Sequence, residues 1–253
     1  MHIAFLGQKS VVLGARAGGI ERHVAELGPR LVQAGHDVSV YARARYGTGK
    51  ARYVDGMRMH YPPTVYRKNL EAIVHVFFST IHALFKGVDV FHYQGVGPSL
   101  LSWIPRLLKP RATVVVTFHA RDQFHKKWGW FARVMLHIGE WTACNVPHAT
   151  ITVSHGLQVM CRDVYHAQAI FIPNGAYVRS LSASEQLRAF HVKPKEYVLT
   201  VGRLLEVKGV HHLIKAFRRT TTTKKLLIVG EPHENDGYAR KLERLADGDA
   251  RIQ

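Results

Sequence analysis

Apolar and polar positions along the chain follow two periods in turn. Short apolar runs read as buried strands: "HIAFLG" (2–7), "HDVSVYA" (36–42), "MRMHY" (57–61), "VDVFHYQ" (88–94), "ATVVVTFH" (112–119), "ATITVS" (149–154) and "AIFIPNG" (169–175). Between them the apolar residues take helical spacing. Ile20, Val24, Leu27 and Leu31 stripe a helix from Ile20 to Gln33. Leu70, Ile73, Val74, Phe77, Phe78, Ile81, Leu84 and Phe85 line one face of a helix from Asn69 to Lys86. Further helices are expected near 98–108, 127–143 and 155–165. Strands alternating with helices of this length predict a doubly wound parallel α/β sheet.

A polar stretch around Val178–Ser184 interrupts the alternation, and "EYVLTVG" (196–202) restarts it. A helix carrying Val210, Leu213, Ile214 and Phe217 follows, then "KKLLIVG" (224–230), a helix near 235–246, and a final "RIQ" that reads as the start of another strand. The expectation is a Rossmann-like domain over 1–179 and an incomplete second one over 180–253, since a doubly wound domain usually takes about 100 residues or more.

Composition adds a partner class. Of 253 residues, 47% are apolar and 21% charged, as in a globular protein, but the formal charge is +17 with a pI near 10.1. Such an excess calls for polyanions: phosphorylated substrates, an anionic membrane face, or nucleic acid. Cys144 and Cys161 lack metal-ligand spacing and read as unrelated reduced thiols of a cytosolic protein. The 17 histidines are scattered, and the adjacent pair His211–His212 diverges by about 100° on a helix, so no metal site is expected. The start "MHIAFLGQ" has no cationic leader, and no run of about 20 apolar residues suggests a membrane span.

Candidate chemistry lies where strands end. Gly18-Gly19 precedes the first helix, where backbone N–H groups can approach an anion; a plain flexible turn fits equally. The GxGxxG spacing is absent, which argues against a nicotinamide cofactor. His119 closes an apolar strand, the place where open α/β sheets put ligand groups, with Asp122 on the loop beyond it. Ser154 reads as an N-cap, and Asn174-Gly175 as a turn or a sugar contact. The sharpest signal is "TVGRLLEVKG" (200–209), in which Arg203 and Lys208 share a turn between a strand and a helix. Two cations there suit a diphosphate, although solvated loop cations would look the same. The basic helix from Arg67 to Lys86 fits a core element; with Tyr66, Lys68, Lys126, Lys127, Trp128 and Trp130 nearby in the pattern, it also fits a bilayer surface.

In this order the motifs resemble the family-4 retaining glycosyltransferases of the two-Rossmann GT-B fold, over the whole chain. "VTFHARDQFHKKWGWFARVMLHIGEW" is similar to a stretch of their bacterial surface-polysaccharide members, and "VSHGL" and "IPNG" resemble the turns before the domain crossing. "VGRLLEVKGVHHLIKAF" resembles the donor motif and is the most specific match. The resemblance implies a nucleotide-sugar donor whose diphosphate is held by Arg203 and Lys208, with Gly18 and Gly19 contributing. His119 would face the transferred sugar as the catalytic-site residue, Asp122 and Asn174 are candidate acceptor or sugar contacts, and neither cofactor nor metal is required.

It further implies transfer with retention to a saccharide or lipid-linked acceptor, in the cytoplasm or peripherally on the inner face of the plasma membrane. Ala120 replaces the family's glycine, "PNGAYV" lacks the usual acidic residue, and the family's E-x7-E pair is not reached. The chain is therefore expected to be C-terminally truncated, with weakened donor binding. The alternative is a non-catalytic remnant or binding subunit that needs a separate chain for the missing donor half. A nucleic-acid partner is not expected, because RNP-like aromatics, zinc spacing and a basic recognition helix are all lacking.

Overall fold

The computed structural model describes residues 1–12, 17–46, 51–67, 70–121, 129–176, 187–231 and 237–253. The chain divides into two compact units, Met1–Ala176 and Tyr177–Gln253.

Among the described residues the first unit is an eight-stranded sheet in the order β3-β4-β2-β1-β5-β6-β7-β8. The strands are β1 (His2–Leu6), β2 (Asp37–Tyr41), β3 (Tyr53–Val54), β4 (Met57–His60), β5 (Val90–Gln94), β6 (Thr113–Phe118), β7 (Ala149–Thr152) and β8 (Ile170–Phe171). All neighbours run parallel except the β3–β4 pair. The helices are α1 (Gly19–Gln33), α2 (Glu71–Leu84), α3 (Val96–Ser99), α4 (Trp103–Leu108), α5 (Trp130–Asn145) and α6 (His155–Tyr165).

Strand alternation assigns the two faces. Ile3 and Phe5 of β1 join a core with Val24 of α1, while Ala4 and Leu6 join another with Val76 of α2, Val96 of α3, Leu136 of α5 and Cys161 of α6. Helix α1 therefore covers one face and the later helices cover the other. Parallel strands buried on both sides account for the near-continuous apolar runs of the sequence.

The second unit holds β9 (Tyr197–Val201) and β10 (Lys225–Val229) as a parallel pair, with α7 (Val210–Phe217) and α8 (Tyr238–Ala246) packed together. Its core is Val210, Ile214, Phe217, Leu226, Tyr238 and Leu242. The final residues extend alongside β10: the Leu226 N–H donates to Arg251 O (2.8 Å) and the Gln253 N–H to Leu226 O (2.9 Å). Ile252 thereby forms a parallel bridge to Leu226, as the "RIQ" pattern suggested.

Four sequence expectations need correction. The apolar stripe of α2 stays largely outside the core, with Leu84 alone packing against it. That helix buries His75, Val76, Ser79, Thr80 and Ala83 and leaves Phe77 and Phe78 exposed. On its inner face the hydroxyls are satisfied, with Thr80 Oγ1 3.0 Å from Tyr93 OH and Ser79 Oγ donating to His75 O at 2.6 Å, while both ring nitrogens of His75 are buried without a partner. The segment 98–108 is two short helices rather than one. Residues 169–175 supply only a two-residue strand, Ile170–Phe171, and the β3 edge strand had no clear signal. Finally, Cys144 and Cys161 are not unrelated. The packing of α5 against α6 brings their buried thiols to 3.4 Å, both free. The polar stretch Val178–Ser184 lies outside the described residues, as do Lys68, Lys126, Lys127 and Trp128.

Candidate functional site

In the first unit, ligand-type side chains gather at the C-terminal ends of the parallel strands around β1, β5 and β6. This is where the strand order reverses direction, the place at which open α/β sheets bind ligands. His119 follows β6, and its Nε2 donates to Oε1 of Gln94, the last residue of β5, at 2.9 Å. The amide oxygen can only accept, so the proton is on Nε2 and Nδ1 carries a lone pair. His23 of α1 stands edge-on to His119, with ring centroids 5.0 Å apart. Nδ1 of His23 donates to Oδ1 of Asn174 at 2.9 Å, and its Nε2 is a buried acceptor without a partner.

Burial, and secondarily the neighbouring His23, pulls the His119 pKa from 6.5 to about 4, so the ring is neutral at pH 7. Burial also lowers the His23 pKa, outweighing its bond to Asn174. Beneath them His92 is buried, bonded to Thr117 Oγ1 at 2.7 Å, and lowered to about 3 mainly by burial. The Gln94 amide nitrogen is a buried donor with no partner. The cluster thus offers open acceptors on two neutral imidazoles and one open donor. That inventory suits hydroxyl groups, each of which donates one bond and accepts others.

The loop after His119 is anchored from below. Arg121 reaches Glu140 of α5 through Nε (3.2 Å) and Nη2 (3.1 Å), and Tyr165 OH donates to the same fully buried carboxylate at 2.7 Å. This paired charge holds the chain just beyond His119. Asp122 lies outside the described residues.

Gly18 is the N-cap of α1, and Gly19 is its first residue. The Gly18 N–H is already taken: Oε2 of the buried Glu21 accepts it at 2.8 Å, while Oε1 accepts the Lys9 N–H at 3.1 Å. The cap therefore carries its own anion, a feature the glycine pair alone did not reveal. A Cβ at Gly19 would meet nothing within 4 Å, leaving that position open to close approach.

In the second unit, Arg203 and Lys208 occupy the turn between β9 and α7. The Leu204 N–H donates to Glu231 O (3.0 Å), and a 3-10 turn at Glu206–Lys208 ends on Gly209, whose φ of +70° is the left-handed conformation glycine tolerates. Among the described residues neither cation has a carboxylate partner, and both are exposed. The nearby Glu206 instead pairs with Lys241 at 3.4 Å. Unpaired cations beside a helix N-terminus can receive a phosphate. A ~700 Å³ cavity in this unit adjoins the same turn at Leu204 and is lined further by Ile214, Ile228, Leu242 and Ile252.

Residues 17–178 match the family model described as Glycosyltransferase Family 4. The chain belongs to that family. Residues 184–248 of this family-4 chain also match the model for glycosyl transferases group 1. Solved structures agree on the fold. Sucrose-phosphate synthase from Thermosynechococcus elongatus is 18% identical with a TM-score of 0.78, over 100% of this chain and 69% of that one. Anabaena HepE, solved with UDP and glucose, is 18% identical with a TM-score of 0.73, over 100% and 68%. WaaG, a glycosyltransferase involved in lipopolysaccharide biosynthesis, is 14% identical with a TM-score of 0.64, over 99% and 69%. At these identities the likeness establishes the GT-B fold. No curated protein matches the sequence.

Of the residues the sequence singles out, the structure brings His119 and Asn174 together through His23 and places Arg203 and Lys208 in one turn of the second unit. The sequence does not single out His23, Gln94 or Glu21. Gln94 ends β5 as His119 follows β6, so the same strand-end rule applied to it.

Proposed function

We propose that this family-4 glycosyltransferase moves a sugar from a nucleotide-sugar donor to a saccharide acceptor with retention of configuration. The second unit takes the donor diphosphate and the first takes the sugar hydroxyls and the acceptor. The observation that carries this reading is the turn holding Arg203 and Lys208, cationic, exposed and without carboxylate partners among the described residues. As the bond from the anomeric carbon to the diphosphate breaks, negative charge grows on the leaving oxygen. One guanidinium and one ammonium group stabilise that charge without a metal. The neutral His119, with its Nδ1 lone pair open, accepts from a hydroxyl of the transferred sugar and orients it. HepE, solved with UDP and glucose, supports a uridine nucleotide, and WaaG, with its role in lipopolysaccharide, supports a lipid-linked or polysaccharide acceptor at the cytoplasmic membrane face.

A second reading has one observation in its favour. Strand β9 leaves Val198, Leu199 and Val201 exposed, as in a binding subunit whose sheet is completed by a separate chain. Incubation with UDP- and GDP-sugars and lipid-linked saccharides, with products read by mass spectrometry and the new anomeric centre by NMR, distinguishes the two. Retained-configuration product from the parent and none from an Arg203→Ala/Lys208→Ala variant supports transfer. Nucleotide binding without turnover supports the subunit reading, and absence of nucleotide binding refutes both.

A further inference from the structure

We propose that Cys144 and Cys161 form a reversible disulfide that locks α5 to α6 without unfolding the first unit. The proposal involves no nucleotide, so it stands or falls apart from the transfer reading above. The two helices meet through two rungs, one helical turn apart. In one, Tyr165 OH donates to Oε2 of Glu140 at 2.7 Å; in the other, the Cys144 thiol donates to Sγ of Cys161 at 3.4 Å. Glu140 and Cys144 are four residues apart on α5, as Cys161 and Tyr165 are on α6, so each pair shares one face of its helix. The earlier residue of one helix meets the later residue of the other, so the helices run antiparallel at this contact. Both thiols are free and lie in the core with Ala143, Tyr165 and Ala167. Hydrogen bonds fix the backbone beside each cysteine: Thr150 Oγ1 donates to Ala143 O at 2.6 Å, and the Ala167 N–H to Cys161 O at 3.0 Å.

Direct contact separates this pair from isolated buried cysteines, which are inert. A disulfide holds its sulfurs at about 2.05 Å, so closing the 3.4 Å gap takes a movement of about 1.4 Å. Side-chain torsion and a small helix shift supply it. Among the described residues no group of three His, Cys, Asp or Glu side chains could hold a metal, so the pair's own chemistry is two-electron oxidation. Cys144 is 8% exposed and Cys161 fully buried, so a small peroxide reaches Cys144 first. The O–O bond breaks, leaving one oxygen on Cys144 as a sulfenic acid and releasing the other as water. Cys161, already in contact, then attacks Sγ of Cys144. The S–S bond forms, the S–O bond breaks, and the hydroxyl leaves with the Cys161 proton as a second water. The peroxide is reduced by two electrons, and a dithiol reductant reverses the reaction. The link joins residues 17 apart around β7, which removes freedom from the unfolded chain. It also restrains the turn of α5 that carries Glu140, to which Arg121 is bonded just beyond His119.

The test treats the folded full chain with a small excess of hydrogen peroxide, beside protein kept reduced with dithiothreitol. Alkylation of the remaining thiols after unfolding, followed by a chymotryptic peptide map, reads the link. The expected result is loss of both thiols, with the peptides of Cys144 and Cys161 recovered joined and both thiols restored by dithiothreitol. The oxidised parent should melt about 5 °C higher than the reduced one, and its α6 amides should exchange more slowly. Cys144→Ala and Cys161→Ala, each leaving one thiol, should show no such rise under the same treatment. Where a variant folds poorly, the parent's peptide map and melting shift decide the matter alone. The proposal is overturned if the thiols survive peroxide in the folded chain, if they end as sulfinic acids without a link, or if the link joins two chains. It is equally overturned if the oxidised parent melts no higher than the reduced one, or if the single-cysteine variants show the same rise.

Discussion

The two units begin alike and end differently. Each opens with a parallel strand, a glycine-containing loop and a helix: β1 to α1 in the first, β9 to α7 in the second. In the first, β1 has hydrogen-bonded neighbours on both sides and four of its five residues are buried. In the second, β9 has β10 alone as a neighbour among the described residues, and Val201 is 70% exposed. The chemistry diverges in parallel. The first unit's strand ends present buried, neutral hydrogen-bonding groups, and burial itself keeps His119 uncharged. The second unit's turn presents exposed cations. One local architecture presents neutral hydrogen-bonding groups where it is buried and cations where it is open.

The comparison can be broken at four points. The largest effect is expected from Arg203→Ala/Lys208→Ala. Loss of two charge-assisted contacts should weaken nucleoside-diphosphate binding by about a hundredfold or more in calorimetric titration, with the melting temperature unchanged. Next, Glu140→Gln should lower the stability of the first unit by about 3 kcal/mol in urea unfolding, because Arg121 loses its buried carboxylate partner. Parental activity retained by this variant would refute the anchoring role.

The third effect is acid sensitivity concentrated in the first unit, since in the second His211 is the histidine that is lowered. His60, His75 and His119 are lowered from 6.5 to about 4 and His92 to about 3, in each case chiefly by burial. The unfolded chain therefore binds protons from pH 6.5 downwards that the folded unit refuses. Stability is full above pH 6.5 and falls as the pH drops towards about 4, by up to on the order of 1 kcal/mol per pH unit for each histidine. Hydrogen exchange at pH 7 and 5 should show amides of β1, β5 and β6 losing protection ahead of those of β9 and β10. The smallest effect is Ser154→Ala, about 1 kcal/mol, since the Ser154 hydroxyl caps α6 by accepting the Leu157 N–H at 3.3 Å. Thermal unfolding of the variant measures it.

Much of the fold was legible because buried parallel strands write themselves as apolar runs. The stripe at Val24 and Leu27 likewise marked the inner side of α1. Helix α2 was misread for a physical reason. Its apolar spacing was correct, but Ser79 and Thr80 satisfy their hydroxyls within the protein, so the polar side could turn inward and the phenylalanines outward. Spacing reveals a face, not its direction. His119 is legible from its strand end and Gln94 by the same rule, whereas Glu21 carries no motif signal. The roles of Gln94 and Glu21 arise from contacts 25 residues away in one case and three in the other. The approach of Cys144 to Cys161 depends on helix packing, which no spacing rule supplies.

The central claim is that phosphate and sugar are recognised by different chemistry in the two units. It is tested most directly by titrating UDP and UDP-sugar into the parent, into Arg203→Ala/Lys208→Ala, and into His23→Ala/His119→Ala. The account predicts that the cation variant loses both ligands, while the histidine variant keeps UDP at parental affinity and loses the added contribution of the sugar. Equal loss of UDP in both variants, or parental UDP affinity in the cation variant, would contradict it.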